Sequence, residues 1–263
     1  MKKLILPLFA VLAIVSCRKT AGAEETSSLK VEKQNLSVIA KRTATWCAPC
    51  GSFGFPKFAQ KQIDYNQKAV FMAWKDALSE AHNGGAEGDH LFTVVAPQFK
   101  LGGSVPTFFT NFIKEGNDAT LVSEHNSSEV VVNSNYSFEK SGNLITLKTT
   151  TKFFKNVEGR YLMAPYLIVN DIEGYQNGHP DTPNTLHHSY VAGIAKPIGD
   201  NTSKSDFGYE IANGNTKEGH SVSLEFTQEV DPSWGKHQLS FGLIIFKDQG
   251  DSLAFVNAYT KFQ

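Results

Sequence analysis

Two of the chain's three cysteines, Cys47 and Cys50, stand in the stretch Arg42–Phe53 (RTATWCAPCGSF), separated by Ala48 and Pro49. That spacing suits a disulfide closed across one helical turn, and the pair falls where a predicted strand ends and a predicted helix begins. At a helix N-terminus the first thiol gains from the macrodipole and from free backbone N–H groups, which lowers a thiol pKa from about 8.5 into roughly the 3.5–7.5 range. Attack on a disulfide needs the thiolate, so this placement favours reactivity at Cys47. Pro49 costs little in a first helical turn, where its missing N–H has no partner to lose, and it stiffens the loop between the sulfurs. Trp46 would flank the pair as an apolar shelf. Two other arrangements use the same residues. Zinc wants four ligands, and histidines would have to supply those the cysteines cannot. An inert structural disulfide suits an oxidising compartment, although so small a loop constrains the unfolded chain only weakly.

The elements that must hold these cysteines change character along the chain. From Asn35 to about Thr120, strand-like and helix-like segments alternate: LSVIA, the helix Cys50–Tyr65, AVFMAW, the helical stretch EGDHLFTVVAPQFK, and TFFTNF. That order predicts a mixed α/β unit over residues 35–125. Ile113–Val130 shows no helical period and is expected to lead straight into the β-rich second half. Residues 126–263 form runs rich in valine, phenylalanine, threonine and tyrosine, separated by Gly, Asn, Asp and Pro clusters. Several alternate apolar and polar residues, as in LKTTTKF and VSLEFTQEV, which predicts an all-β antiparallel sandwich of the immunoglobulin-like kind. Between two of these runs lies DIEGYQNGHPDTPNTL, a long irregular loop of the sort that binds something or covers a sheet edge.

The motif WCAPC followed by SVPTFF resembles the thioredoxin superfamily, in particular the membrane-tethered thiol-disulfide proteins of bacterial envelopes. The resemblance implies that Cys47 is the nucleophile and Cys50 the resolving thiol, both catalytic. It also implies that Pro106 is a cis-proline beside the disulfide, where the Val105 backbone pairs with an extended substrate. Trp46, Val105 and Pro106 are then the substrate-binding residues. On this reading Cys47 is partly exposed, with Cys50 behind it. In many thioredoxins a buried acidic residue lies six positions before the nucleophile, where this chain has Lys41. Pointed at the sulfurs, Lys41 would stabilise the Cys47 thiolate; a lysine ending a strand more often lies in solvent. The second half, through YLIVNDIEGYQNG, HHSYVAG and LAFVNAYTKF, resembles the lipoprotein family related to a 28-kilodalton outer-membrane protein, which implies a thioredoxin-like unit ahead of a β-sandwich; the absent helical period over Ile113–Val130 predicts that this unit lacks its last helix.

Histidines offer little more. His82, Asp89 and His90 fall in or beside a glycine-rich loop after AVFMAW, best read as solvated, although a general base could sit there. His179, His187 and His188 flank the long loop, and adjacent strand residues face opposite sides, so His187 and His188 cannot join one site. No metal and no cofactor are expected.

The first residues, MKKLILPLFAVLAIVSC, place Lys2 and Lys3 before an apolar run too short to span a bilayer but suited to a signal peptide. The run ends on Cys17 as in the lipobox of bacterial lipoproteins, so residues 1–17 are read as signal and lipidation site and residues 18–34 as a flexible tether. Loss of residues 1–16 leaves 23 basic against 26 acidic side chains, a formal charge of about −3, with no basic excess to hold nucleic acid. These features together point to a lipid-anchored thiol-disulfide oxidoreductase of the bacterial envelope, on the outer membrane, with protein thiols or disulfides as its partners. The alternative is a non-catalytic surface-binding lipoprotein with a structural disulfide. If Cys17 carries the lipid, the wild-type protein expressed in a bacterial envelope enters the detergent phase on partitioning and Cys17→Ser moves to the aqueous phase. Equal aqueous recovery of both removes Cys17 as the anchor.

Overall fold

A computed structural model describes residues 29–76, 85–102, 104–114, 116–199, 204–205 and 207–262. Cys17, the signal segment and His82 lie outside them. The first half runs β1 (Ser37–Ala44), a π-type turn (Cys50–Gly54) continuing into α1 (Phe55–Asp64), β2 (Ala69–Asp76), α2 (Gly85–Val95), β3 (Thr107–Thr110), β4 (Ile113–Lys114) and α3 (Asp118–Ser127). The second half begins with β5 (Val132–Ser141), β6 (Leu144–Phe153), β7 (Tyr161–Val169), β8 (Ile172–Gly174), β9 (Thr185–His187) and β10 (Tyr190–Ile194). It ends with β11 (Lys196–Pro197), β12 (Lys204–Ser205), β13 (Gly208–Ala212), β14 (Ser221–Glu229), β15 (Leu239–Asp248) and β16 (Leu253–Tyr259).

β1 pairs parallel with β2 along its whole length and antiparallel with β3, which pairs in turn with β4, giving the order β2-β1-β3-β4. A strand pair of parallel sense needs a crossover, and α1 supplies it. Where the sequence suggested a self-contained sandwich beyond residue 126, one of its two sheets is shared with the first half. β10 meets β2 through the parallel bridge Tyr190↔Ala73, and the Ala73 N–H donates to the Ser189 carbonyl at 2.6 Å. β7 then takes β10 and β13 along one edge and β15 along the other, so a single ten-stranded sheet crosses both halves. The chain is mixed α/β with sheet predominating.

A second sheet, β11-β14-β6-β5, packs on one face of the long sheet. Val132, Tyr136, Ile145, Leu147 and Phe226 from the short sheet meet Met163, Leu167, Phe241, Leu243 and Ile245 from the long one. Elsewhere Val70, Met72 and Trp74 of β2 share a cluster with Phe92 of α2 and with Tyr166, Ile244 and Phe246 of the second half. Phe112 and Phe246 meet edge to face at 5.3 Å, a contact across the halves worth roughly 0.5–1.5 kcal/mol beyond its buried area.

Two expectations need correction. The final helix expected to be missing is present as α3. It buries only Val122, which is why no apolar period announces it, and it is fixed instead by its ends and partners. Asn117 caps it, its Oδ1 accepting from the Thr120 N–H at 3.2 Å, and Asp118 in its first turn bonds Thr110 Oγ1 at 2.6 Å and pairs with Lys61 of α1. Part of the supposed tether is also docked. Asn135 Nδ2 donates to the Lys30 carbonyl at 2.6 Å, Asn133 Nδ2 to Glu32 at 2.9 Å, and Asn257 Nδ2 to Gln34 at 3.0 Å.

Asn257 makes the densest of these links. Its Oδ1 accepts from the N–H groups of Leu36 and Ala258 at 2.9 and 2.8 Å, while Nδ2 donates to Val132 at 2.8 Å as well as to Gln34. Fully buried, it joins the approach to β1, the start of β5 and β16. Asn257→Leu strands buried backbone groups of three elements, and is expected to cost roughly 2–4 kcal/mol in chemical denaturation. A loss below about 0.5 kcal/mol, the range of an ordinary surface change, would show that water replaces the amide there.

Candidate functional site

β1 ends at Ala44, and after a turn the chain is helical from Ala48 through the π-type turn into α1. Cys47 therefore occupies the N-cap and Cys50 the third helical position. The two are joined as a disulfide with Cα atoms 5.2 Å apart. The Cys50 N–H donates to the Cys47 carbonyl at 3.0 Å and lies 3.2 Å from Cys47 Sγ, so the sulfur takes the place a capping oxygen ordinarily fills. A thiolate formed there would keep this donor and the positive end of the helix.

The Val105–Pro106 peptide is cis, and the Val105 carbonyl oxygen lies 3.6 Å from Cys47 Sγ. Val105 packs on the cysteines with Ala44, and Pro106 packs against Gly54 where a side chain would crowd it. Trp46 is 45% exposed beside them. Cys47, Cys50, Trp46, Val105 and Pro106 thus converge. The expected partial exposure of Cys47 is not found: it is 4% exposed against 1% for Cys50.

The cover comes from the long loop between β8 and β9. Gln176, 2% exposed, donates from Nε2 to the carbonyls of Ala44 at 3.1 Å and Cys47 at 3.3 Å. The Asn177 N–H donates to the Thr45 carbonyl at 2.8 Å, and its Nδ2 to that of Trp46 at 2.9 Å. These bonds satisfy the carbonyls that leave β1 before the helix can use them. Gly178, at φ +78°, lies so close to Ala48 that a Cβ would collide with the Ala48 carbonyl. The loop was legible as one that covers or binds, but nothing in its composition pointed to the cysteines.

Lys41 does not end in solvent. Its Nζ sits 5.0 and 4.6 Å from the ring centroids of Phe55 and Phe58 of α1, and the residue is 6% exposed. Burial pushes its pKa from 10.5 down to about 7. Lys75, two positions beyond the β2 partner of Lys41, is buried on the same sheet face, and burial lowers it to about 8. His187 of β9 is pushed to about 4, first by burial and then by the charges of Lys75 and Lys41. Among the described residues no carboxylate pairs with either lysine. His188, on the opposite side of the strand, pairs with Asp171 at 2.9 Å, and the His179 Nδ1 accepts from the Asp181 N–H at 3.2 Å. His90 is exposed on α2, within the helical stretch EGDHLFTVVAPQFK. Among the described residues no three His, Cys, Asp or Glu side chains are placed to share a metal.

No protein-family model matches the chain, and no curated protein aligns with it significantly. Among solved structures, HBP35 of Porphyromonas gingivalis superposes with a TM-score of 0.63 at 15% identity, over 89% of this chain and 76% of that one. The likeness is one of fold. A domain of the outer membrane lipoprotein Omp28 from the same organism covers 50% of this chain and 86% of its own, at 13% identity and a TM-score of 0.30, too loose to assign a fold.

The buried lysines set a sign for pH dependence. The folded chain sheds the Lys41 proton near pH 7, whereas the unfolded chain keeps it to about 10.5, so the unfolded state binds more protons in between. The contribution of Lys41 to stability is therefore lowest below about pH 7 and rises toward 10.5, with Lys75 adding to the upper part of that window. Lys41→Met is expected to flatten this rise and to raise stability by at least about 1 kcal/mol near pH 6, read from denaturant midpoints. An unchanged slope in the variant would mean that Lys41 stays hydrated.

Proposed function

We propose that the chain is a lipid-anchored thiol-disulfide oxidoreductase of the bacterial envelope, on the outer membrane, built on a thioredoxin-like unit. The observation that carries this reading is the Cys50 N–H held 3.2 Å from Cys47 Sγ at the cap of a helix, a site prepared for a thiolate. The order β2-β1-β3-β4 with α1 and α3, and Val105–Pro106 beside the sulfurs, support the fold part. The signal-like N-terminus and Cys17 support the location. Among the described residues no helix is long and apolar enough to cross a membrane.

In the oxidising direction a thiolate of the partner attacks Cys47 Sγ and the Cys50 sulfur leaves as thiolate. The partner's second thiolate then attacks the mixed disulfide and expels Cys47. Two electrons and two protons pass from the partner dithiol to the cysteine pair. Reduction runs the same steps backward, with Cys47 attacking and Cys50 resolving, and the direction follows the two potentials.

The cover over Cys47 favours a second reading, a surface-binding lipoprotein whose disulfide only fastens the start of α1. Cys50→Ser separates them. Exchange chemistry predicts reducible high-mass adducts on Cys47 with envelope proteins, absent from the doubly substituted protein, and alkylation of reduced wild type with a pH midpoint below about 8.5. No adducts, with a midpoint at or above that of free cysteine, leave the staple.

A further inference from the structure

Pro106 also stands at the mouth of a groove of about 360 Å³ between α1, β3 and the turn from β4 into α3. Phe108 lines it, with Phe53 52% and Ile113 47% exposed at its sides. Exposed aromatic and aliphatic side chains so close together mark a surface that something covers. Lys57 projects over this apolar lining, its Nζ 5.3 Å from the Phe53 centroid and 4.9 Å from that of Phe108. No described carboxylate lies within ion-pair distance of Lys57. Asp118, the carboxylate of the lining, is already engaged by Lys61 and by Thr110 Oγ1. Ile113 and Lys114 form β4, an edge strand of the long sheet among the described residues, and also line the groove. The groove therefore offers backbone pairing along a sheet edge, apolar side pockets and, at Lys57, a positive charge that no described carboxylate neutralises.

We propose that this groove docks an extended, acidic segment of the protein whose cysteine reacts at Cys47, with a carboxylate of that segment bound by Lys57. The inference rests on the thiol-exchange function and gives that site its substrate class. Charge complementarity decides the occupant. A carboxylate gains a charge-assisted hydrogen bond from Lys57, whereas a basic segment is repelled by it. Continuity decides the register, because Val105, one residue from the groove, is the residue whose carbonyl lies against Cys47 Sγ. A segment in the groove thereby brings the residues beside it to the sulfur.

The test uses the full mature protein and fluorescent peptides of one extended sequence. One carries glutamates and the other lysines, each with its cysteine replaced by serine, so that binding is read without chemistry. Fluorescence anisotropy is expected to give about tenfold tighter binding of the acidic peptide, with the preference lost or reversed in Lys57→Glu and kept in Lys57→Arg. Equal binding of the two peptides, a preference indifferent to Lys57→Glu, or displacement of the peptide by free acetate would overturn the proposal; circular dichroism confirms that the variants fold. A second arm follows thiol exchange with a small neutral disulfide and with the cysteine-containing peptides. Turnover of the small disulfide without any peptide preference removes the groove and leaves the exchange reading standing. Peptide preference without turnover of any disulfide removes the exchange reading and leaves the groove a docking surface.

Discussion

The bridge between Tyr190 of β10 and Ala73 of β2 is the constraint on which the rest depends. Without it the first half would be a small sheet with β2 at its edge, and the loop between β8 and β9 would have no fixed relation to the cysteines. With it, β8 and β9 are delivered beside α1. Phe55 then meets His179 at 4.4 Å and His187 at 5.9 Å, and Gln176 reaches the carbonyls around Cys47. One strand pairing thus fixes both the architecture and the cover of the disulfide.

Much of this was legible where the signal is local. The alternation of strand and helix through residue 112, the long β runs, and the strand-to-helix position of Cys47 and Cys50 follow from periodicity and from residues adjacent in sequence. What escaped depends on partners far along the chain. α3 buries one side chain and owes its existence to Asn117, Thr110 and Lys61, so no apolar stripe records it. β13 lies in GYEIA, a short run beside glycines and asparagines, and is drawn into the sheet by β7. The fused sheet leaves no local trace, since Ala73 and Tyr190 look like any strand residues until they meet.

Lys41 is the clearest case of tertiary context overriding residue type. A lysine on a strand predicts a solvated end, yet α1 lays Phe55 and Phe58 over its ammonium. The sheet alternation Ile39, Lys41, Thr43 puts it on the face that α1 covers, and with one apolar residue among the three nothing local announced that. Burying two lysines and a histidine together without a described carboxylate is costly, and the lowered pKa values are how the fold reduces that cost. This buried cluster is accordingly a basic one whose positive charge fades as pH rises through about 7 to 8, unlike a cluster built on a buried carboxylate.

The apolar cluster that unites Trp74 and Phe92 with Tyr166, Ile244 and Phe246 has a consequence for how such a protein can change over time. Modules joined by linkers can be duplicated, shuffled or traded between genes, because each keeps its own interior. Here the interior is held in common, and a recombination point placed near residue 126 would hand each descendant half a core. Variation is therefore channelled into the surface, to the groove beside Pro106 and the loop over Cys47, while the two halves must be inherited together.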